Sequence, residues 1–343
     1  MERIRVNASS SYDVIVGADI LNKCGQFVSE VIKPCRVCIV TDDNVAPLYM
    51  DKVSTSLEES GYTSINYIFK NGENSKNTQT LIEILEFLAE NKITRSDLIV
   101  ALGGGVVGDI SGFAAATYLR GIKFVQIPTT FLAAIDSSVG GKTAVNLKSG
   151  KNLCGAFHQP SLVLCDTDCL KTLSYEVYTD GVAEAVKYAV LKDKNLIELI
   201  KNDIEKAIIR CIEIKRDIVN ADEFDKGERQ LLNLGHTLGH SIEALSKFEI
   251  THGRGVAMGM VLASGGGEKI GFTQKGTTEE IINTLKSFGL PTDCPYTPDE
   301  LAAYALNDKK RDGDYITLVI PKYFGECELK KIPIDELVDF ASI

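Results

Sequence analysis

The chain has 343 residues, of which 44% are apolar and 24% charged, with a formal net charge of −10. That length exceeds what a single core usually serves, so two domains are expected. The acidic balance argues against nucleic acid as a bulk partner, which needs excess cationic surface, but leaves room for a small anion held by locally gathered cations.

Nine cysteines, an odd number in a long chain, do not read as a disulfide framework. Cys35 and Cys38 form a CxxC, but Cys38 sits in the apolar run Val37–Val40 and no second CxxC completes a zinc ribbon. The N-terminus has no apolar leader, and no run of about 18 apolar residues occurs. These features lead us to expect a cytoplasmic protein with reduced thiols and no membrane segment.

In chain order, Val37–Thr41, Leu98–Leu102, Phe124–Ile127 and Leu162–Cys165 are short, apolar and bounded by turn residues, which predicts strands. Thr78–Asn91 between them carries Leu81, Leu85 and Leu88 at helical spacing. Such alternation predicts a parallel α/β sheet. After Ser174 the pattern predicts successive helices: Val177–Leu191, Leu196–Asn220, Gln230–Leu245, Gly255–Lys269, Glu279–Phe288 and Pro298–Leu306. A single late strand, Tyr315–Ile320, follows. We therefore expect an α/β domain over 1–173 and a mainly helical domain over 174–343, with a ligand cleft between them.

Leu98–Leu102 runs into Gly103, Gly105 and Gly108, a GxGxxG that opens a helix. Glycine lets backbone amides approach a pyrophosphate, and a helix N-terminus favours its charge. Tight strand-to-helix turns use glycine for steric reasons too. The usual acidic residue about 20 positions later is missing. Asp42, which ends an earlier strand, could instead take a ribose diol, although Asp42 and Asn44 are also common turn and cap residues. Asp136–Thr143 looks superficially like a P-loop but lacks its first glycine. Lys142 and Lys151 lie on glycine-flanked stretches read as loops, where a lysine suits a phosphate.

Three of the four histidines are His236, His240 and His252. His236 and His240 are i,i+4 and share a helical face, a familiar way to hold a divalent metal. A turn after about Lys247 would bring His252 back beside them. The alternative is a set of buried, hydrogen-bonded histidines. A carboxylate is needed to complete a zinc site, and Glu176, Glu184, Asp222, Glu223 and Glu243 are candidates. Glu184 stands out because it lies in an apolar helical stretch, where a lone carboxylate is costly, with Lys187 as a competing structural partner.

Together these segments resemble the 3-dehydroquinate synthase family, over nearly the whole chain. The matches are Gly72–Lys76 (GENSK), Gly103–Asp109 (GGGVVGD), Arg120–Ile122 (RGI), Ile127–Thr130 (IPTT), Asp136–Asn146 (DSSVGGKTAVN) and Gly150–Pro160 (GKNLCGAFHQP). They continue through Gly181–Tyr188 (GVAEAVKY), Leu231–His240 (LLNLGHTLGH), His252–Met260 (HGRGVAMGM) and Asp308–Lys310 (DKK). The resemblance implies an N-terminal Rossmann-like, NAD-binding α/β domain and an all-α C-terminal metal-binding domain. It implies conversion of 3-deoxy-D-arabino-heptulosonate 7-phosphate to 3-dehydroquinate and phosphate. The steps would be transient NAD oxidation, phosphate elimination, re-reduction and intramolecular aldol closure, a lyase reaction overall in the shikimate pathway.

By the same resemblance, Glu184, His236 and His252 hold zinc or cobalt, and His240 lies beside the substrate rather than on the metal. Asp42, Asn44, Glu73 and Lys76 hold the adenosine end of NAD. Gly104, Gly105, Asp109, Thr129 and Thr130 hold its pyrophosphate and nicotinamide half, and Thr172, Lys142 and Lys151 belong to the same cofactor set. Lys142, Asn152 and Lys187 surround the substrate phosphate, and Arg120 reaches it from the partner subunit of a homodimer. Lys215, Arg229 and Lys310 take the carboxylate, while Asp136 and Lys151 contact hydroxyls. Asp180 and Cys169 depart from residues common in the family. The rival readings are another sugar phosphate cyclase, a metal-dependent polyol dehydrogenase and a non-catalytic ligand-binding relative. The first would not need the carboxylate cations, and the second would release NADH.

Overall fold

The structure is a computed structural model that describes residues 1–305 and 311–343. The expected carboxylate ligand Lys310, with Asp308 and Lys309, lies outside the described residues. The chain divides into two compact units, residues 1–173 with 215–224, and residues 174–214 with 225–343. No described helix is long and apolar enough to cross a membrane.

The first unit is built on strands β1 (Glu2–Val6), β2 (Tyr12–Gly17), β3 (Arg36–Asp42), β4 (Thr63–Phe69), β5 (Leu98–Gly103) and β6 (Lys123–Pro128). A hairpin of β7 (Lys142–Leu147) and β8 (Gly150–Phe157) follows, then β9 (Leu162–Asp166). Among the described residues the main sheet has the order β1-β2-β9-β6-β5-β3-β4. Only β1 pairs antiparallel with its neighbour in this sheet; the rest is parallel. The helices are α1 (Cys24–Ser29), α2 (Ala46–Glu59), α3 (Thr78–Glu90) and α4 (Gly105–Thr117). Every residue of β5 is buried, and separate apolar clusters form around Ile39, Val100 and Leu164 and around Val40, Ile99 and Phe124. This is the arrangement of a parallel sheet covered on both faces.

The strand order reverses between β3 and β5, since β4 extends beyond β3 on one side while β6 and β9 lie on the other. Ligands of open α/β sheets sit outside the carboxyl ends of the strands at such a switch point. Asp42 ends β3 and Gly103 ends β5 there.

The second unit contains α5 (Tyr175–Leu191), α6 (Leu196–Asn202), the first part of α7 (Ile204–Ala221), α8 (His236–Leu245), α9 (His252–Lys269), α10 (Thr277–Ser287) and α11 (Pro298–Ala305). It ends in strands β10 (Arg311–Asp312), β11 (Tyr315–Tyr323) and β12 (Glu326–Pro333) and helix α12 (Leu337–Ala341). Ser174 caps α5 by accepting from the Val177 amide at 3.4 Å.

Several expectations change. The second unit is mainly helical, but β10, β11 and β12 form an antiparallel sheet where one strand was read, so it is not all-α. The helix read over Leu196–Asn220 is broken at Asp203. The one read over Gln230–Leu245 is interrupted by Gly235, whose φ of 76° leaves a 3-10 turn before it and starts α8 at His236. Lys142 and Lys151 lie on the β7–β8 hairpin rather than on loops.

Candidate active site

In the second unit, Glu184 on α5 meets His236 and His252, the first residues of α8 and α9. Glu184 Oε1 lies 3.4 Å from His236 Nε2 and 3.2 Å from His252 Nε2. Two donors each about 2.0–2.1 Å from a tetrahedral zinc are about 3.3 Å apart, so these separations suit one ion. Two imidazoles and a carboxylate are also a common catalytic zinc donor set. His236 Nδ1 is 3.0 Å from the Leu234 carbonyl, and His252 Nδ1 is 2.9 Å from Glu243 Oε1, so both Nε2 atoms turn toward Glu184.

Burial drives the His236 pKa well below the ordinary imidazole value, although Glu184 opposes this, so the ring is neutral as a ligand must be. Burial also opposes charge on His252. Its hydrogen bonds to Glu184 and Glu243 outweigh that and hold its pKa up to about 10. Lys187, only 1% exposed, is ion-paired with Glu184, the structural partnership the i,i+3 spacing allowed.

Glycine makes this convergence possible. A Cβ on Gly235 would lie 2.6 Å from the Val256 carbonyl oxygen, and one on Gly259 only 2.0 Å from the Gly235 carbonyl oxygen. Helices α8 and α9 therefore cross at backbone contact, and their first residues become neighbours, with the His236 and His252 rings 5.1 Å apart. The turn between them uses left-handed Lys247 and Phe248. His240, one turn along α8, lies 5.4 Å from the His236 ring. Its nitrogen falls in a second possible donor group, His240, Glu243 and His252, which shares His252 with the first.

In the first unit the candidate cofactor residues gather past the carboxyl ends of the strands. Gly104 precedes α4 and Gly105 begins it, and a Cβ on Gly104 would meet the Thr130 methyl at 3.0 Å. Thr129, buried, follows β6 and donates its amide to the Gly103 carbonyl at 3.0 Å. Asp42 accepts from the amides of Asn44 at 2.9 Å and Val45 at 2.8 Å, the cap-like role its residue type allowed. Burial raises its pKa, with those two amides opposing.

Lys76 donates to Asp109 at 2.5 Å and to Asn152 Oδ1 at 2.6 Å. Asn146, a residue singled out only as the end of a motif, ties Glu73 to this network. It donates to Glu73 at 2.7 Å and accepts from the Asn152 amide at 2.9 Å. Asp136 lies in a π-helical turn, a distortion frequent at functional sites. Lys215 donates to its carboxylate at 2.6 Å and its carbonyl at 2.5 Å.

The other candidates have the following settings. Arg120 is exposed with a φ of 70°. Thr172 is bonded to Tyr49 at 2.5 Å. Arg229, 1% exposed, lies in the second unit's 3-10 turn Glu228–Asn233. Sequence reading also missed the role of Asp180, which accepts from the Thr251 hydroxyl at 2.6 Å at the start of α9. No pattern in the sequence pairs those two residues.

The fold, a nucleotide-type sheet followed by a mainly helical unit, is shared with sugar phosphate cyclases. Solved structures support that class. A 2-deoxy-scyllo-inosose synthase complexed with carbaglucose-6-phosphate, NAD+ and Co2+ is similar with a TM-score of 0.90 and 25% identity, covering 98% of this chain and 100% of that one. A 2-epi-5-epi-valiolone synthase from Streptomyces hygroscopicus with NAD+ and Zn2+ bound gives 0.88 and 25%, covering 99% and 98%.

Among sequences, a 3-dehydroquinate synthase of Clostridium acetobutylicum is 43% identical over 97% of both chains. One from Streptococcus sanguinis is 44% identical over 96% of both. The family models described as 3-dehydroquinate synthase N-terminal and C-terminal match residues 66–180 and 181–311. The chain belongs to the 3-dehydroquinate synthase family, and synthesis of 3-dehydroquinate is the function these relatives support.

Proposed function

We propose that the chain converts 3-deoxy-D-arabino-heptulosonate 7-phosphate to 3-dehydroquinate and phosphate, as a lyase that uses NAD and a divalent metal, zinc or cobalt. The observation that carries this reading is the convergence of Glu184, His236 and His252 at donor separations suited to one ion. Bound there, the ion would polarise the substrate hydroxyl and the ketone derived from it. Bound NAD would supply a transient hydride acceptor, restored within each turnover, so the net change is elimination and ring closure.

The chain's own residues do the rest. Asp42, Asn44, Glu73 and Lys76 hold the adenosine end of the cofactor. Gly104, Gly105, Asp109, Thr129 and Thr130 hold its pyrophosphate and nicotinamide half, with Thr172 in the same set. The glycines keep side chains out of the pyrophosphate's path, and the N-terminus of α4 favours its charge. Lys142, Asn152 and Lys187 bind the phosphate, with Arg120 supplied by a second copy in a homodimer. Cations there stabilise charge that grows on the phosphate as its bond to carbon breaks. Lys215, Arg229 and Lys310 bind the carboxylate, Asp136 and Lys151 orient the hydroxyls, and His240 stands beside the substrate. Asn152 and Lys215 already bond to Lys76 and Asp136, so substrate binding exchanges these contacts rather than filling vacant ones.

Phosphate release from the zinc-loaded protein given the heptulosonate phosphate and NAD, with absorbance followed at 340 nm, tests the reading. The expected result is stoichiometric phosphate and 3-dehydroquinate with no net NADH. Accumulating NADH without phosphate would make it a dehydrogenase. Silence in both signals, with zinc and NAD bound, would point to a cyclase of another sugar phosphate.

A further inference from the structure

Two donor groups overlap at His252. In one, Glu184 lies 3.2 Å from its Nε2 beside His236; in the other, Glu243 lies 2.9 Å from its Nδ1, and His240 completes the group. Both place a carboxylate within hydrogen-bond distance of the ring, so proximity alone does not select the metal site. Glu243 does. It lies at i+7 from His236 and i+3 from His240, on the same face of α8, and is 2% exposed. Its Oε1 sits 2.9 Å from His252 Nδ1, a separation suited to an N–H donor and a carboxylate acceptor.

We propose that Glu243 is a positioning residue. It accepts the Nδ1–H of His252, and thereby fixes the tautomer and ring plane that present Nε2 to an ion shared with Glu184 and His236. The inference rests on the metal reading above. The Leu234 carbonyl has the corresponding position at His236 Nδ1, 3.0 Å away, so each imidazole has an anchor behind it. The two anchors differ in kind. A backbone carbonyl moves only with the chain, whereas Glu243 can be replaced without disturbing the backbone. Carboxylates behind metal-bound imidazoles orient the ring and strengthen the ligand, and their loss typically costs 10–100-fold in metal affinity.

A consequence follows for the second group. An ion held between Glu243 and His252 Nδ1 would need that nitrogen's lone pair, which the proton held toward Glu243 occupies. The protein should therefore bind one tight divalent ion per chain, and His240 stays off the metal.

The test uses metal-free full-length protein titrated with zinc against a chromophoric chelator and, in parallel, with cobalt followed by its visible absorption. Wild type is expected to take up one equivalent. Glu243→Ala should bind zinc about 10–100-fold more weakly, with altered cobalt bands and unchanged far-UV circular dichroism. Glu243→Gln keeps an acceptor oxygen and should fall between the two. Equal affinity and an identical cobalt spectrum in Glu243→Ala would overturn the proposal while leaving the metal reading intact. So would a second tight equivalent in wild type that disappears in Glu243→Ala and His240→Ala, because Glu243 would then be a ligand. Wild type that binds no ion would overturn both. Should the alanine variant fail to fold, Glu243→Gln decides alone, and wild-type affinity with unchanged cobalt bands would count against the proposal.

Discussion

The two units present their polar residues in opposite ways. In the second, donor atoms from three helices turn toward a common point, with Glu184 Oε1 3.2 and 3.4 Å from two imidazole nitrogens. In the first, the groups past the strand ends turn toward one another: Lys76 to Asp109 and Asn152, Asn146 to Glu73, Asp42 to its own turn. The converging donors suit a small divalent ion such as zinc, whose fixed geometry rewards rigidity. The other holds its charges in internal pairs, which a large anionic ligand would have to exchange under the function proposed above. Closed pairs of this kind keep buried charges compensated until a ligand arrives.

The largest effect should come from removing a converging donor. His236→Gln takes away a neutral ligand and leaves no lone charge behind. Metal chemistry contributes several kcal/mol, so kcat should fall about 10³-fold or more. NAD affinity, measured by titration, should stay within about twofold. A parallel loss of NAD affinity would erase the distinction between the units.

Next in size is the internal pair. The Lys76 side chain is 6% exposed and that of Asp109 16%. Lys76→Met strands a mostly buried carboxylate and should cost about 3 kcal/mol in a denaturant melt. The double variant Lys76→Met/Asp109→Asn should recover at least about half of that, because no isolated charge remains. A single variant within about 0.5 kcal/mol of wild type would show that the pair is poised for ligand only.

The smallest effect separates the two uses of Asp42. Asp42→Asn keeps an acceptor for the Asn44 and Val45 amides, so thermal stability should hardly change. Asp42→Ala should lose about 1 kcal/mol. If the carboxylate takes the ribose diol, NAD should bind about tenfold more weakly to both variants. Unchanged binding in both would leave Asp42 a cap alone.

What could be read from the sequence follows the same division. The apolar strands β3, β5, β6 and β9 were legible within a residue or two because parallel strands buried on both faces are continuous hydrophobic runs. The missed β4 is an edge strand of mixed exposure, and β12 carries four consecutive exposed residues, so neither has a clean period. The β7–β8 hairpin was hidden by the glycines and lysines that made it look like loop.

In the metal cluster, i,i+4 spacing correctly placed His236 and His240 on one helix. Spacing alone could not rank His240 against Glu184, which reaches the cluster from a helix far away in sequence. Only the resemblance proposed that ligand set. Glu243 was one candidate carboxylate among five, and its partner atom became visible only in three dimensions.

The segment Lys215–Phe224 has a consequence for synthesis of the protein. These residues belong to the first unit, where Lys215 bonds to Asp136, Asn220 to the Asn7 amide, and Glu223 to Ser9 and Gln159. On the ribosome, the segment 1–173 emerges first yet cannot make those contacts. At about 5–20 residues per second, it waits roughly 3–10 s for residues 174–224 to be made. A gene fragment ending at residue 173 would encode that waiting state, not an independent nucleotide-binding module.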